Sequence, residues 1–291
     1  MWKLSLGGKV FNVFNITFMI LIGIATLYPF WYVVLKSVMP FSESLKTTIY
    51  IFPKHITLDA YKVVLSTESF INAFKNSVFI TVIGTVYQVF LTAMGAYSLT
   101  KKELPGRNFF FILILITMYF GGGLIPFYFL IRSLGLIDNI WVMIFPYFTN
   151  TFYLIVMKTF FSAIPTEMEE SAKIDGAGYF TVFLRILLPL SKPVLATSAL
   201  FAAVGQWNNW FTPTMFISER NSWPLARLLS DILINNNTAQ AFQGGFVSEN
   251  YMLGESLKMA CIIVAIIPII AVYPFVQKYF VKGVMIGAVK N

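Results

Sequence analysis

Two short stretches hold the side chains that could do chemistry. The first is GQWNNW at 205–210, which places Gln206, Asn208 and Asn209 between Trp207 and Trp210 in an otherwise apolar run. Gln206 and Asn209 stand at i,i+3 and share one face of a helix. Amides donate and accept hydrogen bonds without carrying charge. Aromatic rings stack on the apolar faces of sugars, and Trp207, Trp210, Phe152 and Tyr153 are suited to that. Asn150, within Thr149-Asn150-Thr151, and Gln88 add further neutral polar groups. Hydrogen bonding between helices, worth ~0.6 kcal/mol a pair, explains the same residues. Spacing alone leaves both readings open: Gln206, Asn209, Trp210 and Asn150 line a path for a neutral solute, or they pack.

The second stretch is PTEMEESAKIDGAGYFTVFLRILLP at 165–189. Pro165 suits a helix start. Thr166 and Glu169 match a capping box, and Glu169 and Lys173 stand at i,i+4 in the favourable order. Gly176 and Gly178 supply the stop. A second helix then puts Tyr179, Val182, Phe183 and Ile186 on one stripe. That stripe needs cover from the lipid interface, this chain's own helices or another protein.

Other chemistry is excluded by scarcity. Cys261 and His55 are single in the chain. No intramolecular disulfide, thiolate cluster, histidine-based triad or HExxH zinc site can be assembled from them. No GxxxxGK[ST] occurs, so the chain carries no P-loop.

The elements that position these stretches follow from composition. Of 291 residues, 57% are hydrophobic and 12% charged, and the mean hydropathy is +0.74. A soluble domain is about a quarter charged. Six apolar runs are free of charge: 10–35, 76–100, 108–131, 139–157, 193–218 and 259–277. Nineteen helical residues rise about 28 Å, near the ~30 Å of a hydrocarbon core. The reading is all-α, a polytopic membrane protein of six transmembrane helices. Lys3 and Lys9 precede a first run too long for a removable signal core, so that span is expected to stay. Trp31, Tyr32, Trp141, Trp207 and Trp210 fall towards span ends, where amphipathic rings prefer the interface. With both termini on one side, the loops of that side sum to +7 and those opposite to +1. The positive-inside rule then puts both termini in the cytoplasm. The basic balance meets anionic lipid and gives no reason to expect nucleic acid. The run 108–131 is interrupted by Gly121-Gly122-Gly123 and Pro126, which read equally as a bend or as close helix packing.

A resemblance now enters on named residues. Glu170-Ser171-Ala172, three residues, Gly176, nine residues, Ile186, one residue and Leu188-Pro189 resemble the EAA loop of permease subunits of bacterial ABC importers. Ser171 stands where that pattern has alanine. IDGA at 174–177 resembles the form seen in carbohydrate importers, and the tail QKYFVKGVMIGAVKN is similar to the branch handling oligosaccharides from complex polysaccharides. The likeness runs from about Asn76 to the tail, with the first span outside it.

This resemblance implies a type I ABC-importer permease fold: one transmembrane domain over 1–291 with its core at about 76–280, a cytoplasmic coupling loop at 158–192, and an external loop at 219–258. It implies that Glu170, Ser171, Ala172, Asp175, Gly176, Ala177, Ile186 and Pro189 form or shape the contact with an ATPase. It implies no enzyme activity and no cofactor on this chain, with ATP and Mg on a partner. The implied partners are a second permease in a heterodimer, two ATP-binding subunits, an extracytoplasmic sugar-binding protein and the lipid bilayer. The implied location is the bacterial plasma membrane. In maltose-type importers the loop corresponding to 219–258 enters the binding protein, and its length here permits that. A non-sugar ABC permease keeps the EAA loop with a different lining. A secondary transporter usually shows ionisable groups such as Asp, Glu, Lys, Arg or His inside the spans, and the six runs contain none of these five. A membrane enzyme needs a nucleophile and base that the lone loop histidine does not provide. In the loop 36–75, DAYKVVL at 59–65 reads as a short surface helix.

Overall fold

The computed structural model describes residues 6–40, 43, 52–234 and 254–288. Regular structure among them is all helical: α1 (Leu6–Ser37), α2 (Asp59–Ser66), α3 (Glu68–Ser98), α4 (Arg107–Tyr119), α5 (Leu124–Ser133), α6 (Thr151–Ser162), α7 (Glu167–Ile174), α8 (Tyr179–Leu190), α9 (Lys192–Trp207), α10 (Phe211–Phe216), α11 (Leu225–Leu233) and α12 (Glu255–Ala288). Three of these helices, α1, α3 and α12, are long and apolar enough to cross a membrane unaided. Three bent pairs bring the number of spans to six.

The bends are where chain chemistry stops a helix. Between α4 and α5 the axis turns by 118°. Gly123 takes φ +82°, which β-carbon residues rarely adopt. A Cβ added at Gly121 or Gly122 would meet nothing within 4 Å. The triple glycine therefore stands at a bend, with no described residue of this chain packed close against Gly121 or Gly122. The run 139–157, expected as one span, instead opens with 3₁₀ turns at Ile140–Met143 and Phe145–Tyr147 and becomes α-helical only at Thr151, across a 44° bend. Pro146 removes one donor from that stretch. The run 193–218 also departs from a single helix. It is continuous only to Trp207, and α10 restarts at Phe211. Ahead of it, α8 and α9 meet at 84° around the buried Ser191.

Contacts group the chain into two units. One comprises Met1–Phe70 with Asp231–Ile266. Here the buried residues of α1 are confined to its last turn, at Leu35, Lys36 and Ser37, while Phe11, Phe14, Leu27 and Phe30 stay exposed. So much bare apolar surface requires an apolar solvent. The segment 59–65 does form a helix, and its Val64 is fully buried. The buried Lys36 ammonium pairs with Glu255 at 3.0 Å.

The other unit, Ile71–Ser230 with Ile267–Asn291, holds two cores strung along α3. Ile80 joins Ile131, Val142, Met143 and Phe216 near the start of the helix. Ala93 and Tyr97 join Leu154, Met157, Phe161, Val182 and Phe183 near its end. Of the three possible covers for the α8 stripe, Val182 and Phe183 take this chain's own helices, whereas Tyr179 remains exposed. Of the loop expected at 219–258, residues 235–253 lie outside the described residues.

The Lys36–Glu255 pair is asymmetric, with side chains 3% and 49% exposed. Removing the solvated partner leaves a buried charge behind, whereas removing the buried one does not. Glu255→Gln is expected to cost about 1–2 kcal/mol after discounting for its exposure. Lys36→Met should cost less. Thermal unfolding of the detergent-solubilised variants checks the order.

Candidate functional site

The first candidate residues converge on a cavity between the two cores. Gln88 of α3, Asn150 and Tyr153 at the start of α6, Gln206 at the end of α9, Asn209 and Tyr147 line a space of about 190 Å³. Both asparagines are there because a helix begins beside them. Asn150 Oδ1 accepts from the amides of Phe152 (3.0 Å) and Tyr153 (3.3 Å), capping α6. Asn209 Oδ1 accepts from Thr212 N at 3.2 Å where α10 begins. Each amide is anchored through its oxygen, which leaves its NH₂ group as a donor. Gln206 differs. It is 6% exposed, and its Oε1 is buried without a hydrogen-bond partner among the described residues. Gly84 allows this placement, since a Cβ there would stand 3.1 Å from Gln206 Nε2.

The rings divide. Tyr153 lines the cavity and stacks on Phe201 with centroids 6.3 Å apart. Trp207 turns away, edge-on to Phe74, into a separate apolar cleft with Val78 and Pro268. Trp210 and Phe152 are exposed and do not line the cavity. Thr149 and Thr151 take the packing role, bonding to Thr92 (3.3 Å) and Thr117 (3.1 Å).

The second candidate site is the loop between the fourth and fifth runs. α7 ends in a Schellman motif: Gly176 N–H bonds Lys173 O (3.0 Å) and Ala177 N–H bonds Ala172 O (2.9 Å), with Gly176 at φ +84°. No atom lies within 4 Å of a Cβ built on Gly176, so glycine is needed for conformation and the space beside it is open. The eight coupling candidates sort by direction. Glu170, Ser171, Asp175, Gly176 and Pro189 are exposed. Ala172, Ala177 and Ile186 pack against the core beneath. Ile174, not singled out in sequence, is 87% exposed at the tip. An apolar residue at the end of a polar helix was the available signal. A π-helical turn at Phe183–Leu187 carries Ile186.

The capping box does not form. Thr166 is in the helical region and makes no side-chain cap. Glu169 is occupied elsewhere. Its carboxylate is hydrogen-bonded by Lys101, by Lys173 (3.1 Å) and by the Tyr97 hydroxyl (3.5 Å). Burial pushes its pKa up, but the two lysines outweigh burial and hold it below the usual carboxylate range. Its stabilising contribution is therefore present above the unfolded value and is lost as pH falls through the depressed one. The Glu169–Lys173 pair was readable from spacing; Lys101, far away in sequence, was not.

With this geometry in hand, likenesses to known proteins can be placed. The pattern of the binding-protein-dependent transport system inner membrane component matches residues 106–286. Protein LplC of Bacillus subtilis (strain 168) is 45% identical over 98% of this chain and 96% of its own length. The polygalacturonan/rhamnogalacturonan transport system permease protein YtcP of the same organism is 38% identical over 97% of this chain and 99% of its own. A solved bacterial ABC transporter involved in the import of the acidic polysaccharide alginate aligns with a TM-score of 0.84 at 31% identity, covering 96% of this chain and 100% of that one. A helical, multi-pass chain with an EAA loop, matched over most of its length, belongs to the family of binding-protein-dependent transport system inner membrane components.

Proposed function

We propose that the chain is the membrane-spanning subunit of an ATP-driven importer of oligosaccharides released from complex polysaccharides. The observation that carries this reading is α7: a short, glycine-capped helix whose outer face is exposed and whose inner face is packed on the core. A helix so placed can receive a push from a separate protein and pass it inward. Its exposed carboxylates Glu170 and Asp175 suit an Arg or Lys of an ATPase, and Gly176 lets two backbones approach. ATP and its Mg stay on that partner. A second permease completes the pore, and an extracytoplasmic binding protein delivers the solute. Both termini lie in the cytoplasm.

The cavity supports the sugar class. Its polar lining is amide and phenol, without an ionisable carboxylate or amine. Hydroxyl groups of a saccharide both donate and accept, and would satisfy the unpartnered Gln206 Oε1 as well as the asparagine NH₂ groups. The related permeases named for polygalacturonan and alginate support oligosaccharide over monosaccharide. A carrier driven by ions usually shows acidic, basic or histidine side chains along its path, and the six runs hold no Asp, Glu, Lys, Arg or His.

Gly176→Trp is expected to abolish uptake by the reconstituted importer. Membrane insertion should persist, because a Cβ built at this position meets no atom within 4 Å and the strain of a non-glycine residue at φ +84° falls on the exposed end of α7. Wild-type uptake by the variant would remove the coupling assignment. Gln206→Leu with Asn209→Leu should lower saccharide transport about tenfold or more, as two hydrogen bonds of ~1 kcal/mol each are lost. Co-purification with the ATPases should be unchanged. An unaltered saccharide profile would return both residues to packing.

A further inference from the structure

The loop carrying α7 joins the fourth and fifth runs, so a push on α7 reaches α6 and α8 through the chain itself. Nothing covalent carries it to α3. We propose that Glu169 is a positioning residue that ties α7 to the end of α3, so that the push also enters the second span. This inference rests on the coupling reading above.

Three side chains make the tie, Glu169 on α7 with Lys101 and Tyr97 at the end of α3. Lys101, three residues past the end of α3, bonds Glu169 Oε2. Its ammonium also lies 4.0 Å over the ring of Tyr97. Tyr97 belongs to α3, is 6% exposed and stacks on Phe183 of α8 at 5.6 Å. On the lever side, Lys173 holds Glu169 Oε1 and sits 4.5 Å over the ring of Tyr179. An exposed ion pair is worth little. This one is different in kind, because the side chains of Lys101 and Glu169 are only 17% and 21% exposed. Pulling α7 from α3 would strip Lys101 and the Tyr97 hydroxyl from a half-buried carboxylate and lift an ammonium off a ring. Adjacent residues thereby divide the work: Glu170 faces outward and Glu169 faces the bundle.

The test uses the complete importer in proteoliposomes: this chain, a second permease, both ATPase subunits and the binding protein, supplied with galacturonan oligosaccharides. Two quantities are read, saccharide moved per ATP hydrolysed and hydrogen exchange of the amides at 170–177. In Glu169→Gln and Lys101→Met, transport per ATP should fall about five- to tenfold, the low end of an allosteric coupling energy. Exchange should rise, while the ATPases still co-purify. Lys101→Arg keeps the charge and should retain coupling, which separates charge from stem packing. Lys173→Met removes only the partner inside the lever and should stay within about twofold of wild type. A wild-type transport ratio in Lys101→Met, or an equal loss in Lys173→Met, overturns the tie to α3. Failure of the wild-type importer to move saccharide on ATP counts instead against the coupling reading, and amide exchange in the variants still decides the tie.

Discussion

Backbone amides and carbonyls in an apolar medium must find partners within the protein. A continuous helix meets that demand by itself; a broken one leaves orphan groups at each end. This chain breaks three of its six runs, and its polar residues are found where the breaks need them. Asn139 caps the first 3₁₀ turn, Asn150 caps α6 and Asn209 serves the start of α10. Gly123 supplies the left-handed turn that ends the extended link between α4 and α5. The amide-lined cavity lies where two of these capped breaks, at Asn150 and Asn209, come together beside Gln88 of α3.

The lever obeys the same constraint outside the apolar zone by other means. Gly176 and the Schellman bonds close α7, and Ala172 and Ala177 seat it on the core. Small residues underneath keep the helix close, and a larger residue at either position would lift it. Below, Val182 and Phe183 lock α8 to α3 and α6. A lever transmits displacement only if its attachment is stiffer than the contact that pushes it. Here the attachment is hydrophobic burial plus the partly shielded Glu169 cluster, whereas the pushing face is polar and solvated.

Much of this was legible beforehand, and the exceptions have physical causes. Charge-free runs placed six spans because burying a charge in hydrocarbon is costly whatever the fold. The stretch 165–189 reads as a short helix with a glycine stop and then an apolar stripe, and α7, its Gly176 cap and α8 lie where that reading puts them because these are local features. The runs 139–157 and 193–218 misled, since hydropathy measures the solvent a segment prefers and not whether its backbone is helical. The polar clusters Thr149-Asn150-Thr151 and GQWNNW marked the breaks, but a sidechain-to-backbone cap and an interhelical bond look alike in sequence. The capping box was out-competed: Glu169 had lysines and a phenol within reach, which are stronger partners for a carboxylate than one backbone amide. Lys101 and Glu255 are tertiary partners, and no spacing rule reports those.

Asn150 and Asn209 have their oxygens committed to caps, so what they can offer a solute is donors. Gln206 offers an acceptor that no described residue satisfies. A buried acceptor left empty costs on the order of 1–3 kcal/mol, which the fold tolerates at this position. On the proposed reading, a site of a few neutral donors, one acceptor and a stacked tyrosine would bind many hydroxylated rings alike, because no lining side chain carries a carboxylate or amine to rank them. Weak, even-handed binding is what a translocation path requires, since a solute held tightly at mid-membrane would not leave. Discrimination among saccharides is then better placed before entry, on a protein that can bind tightly and be made to let go.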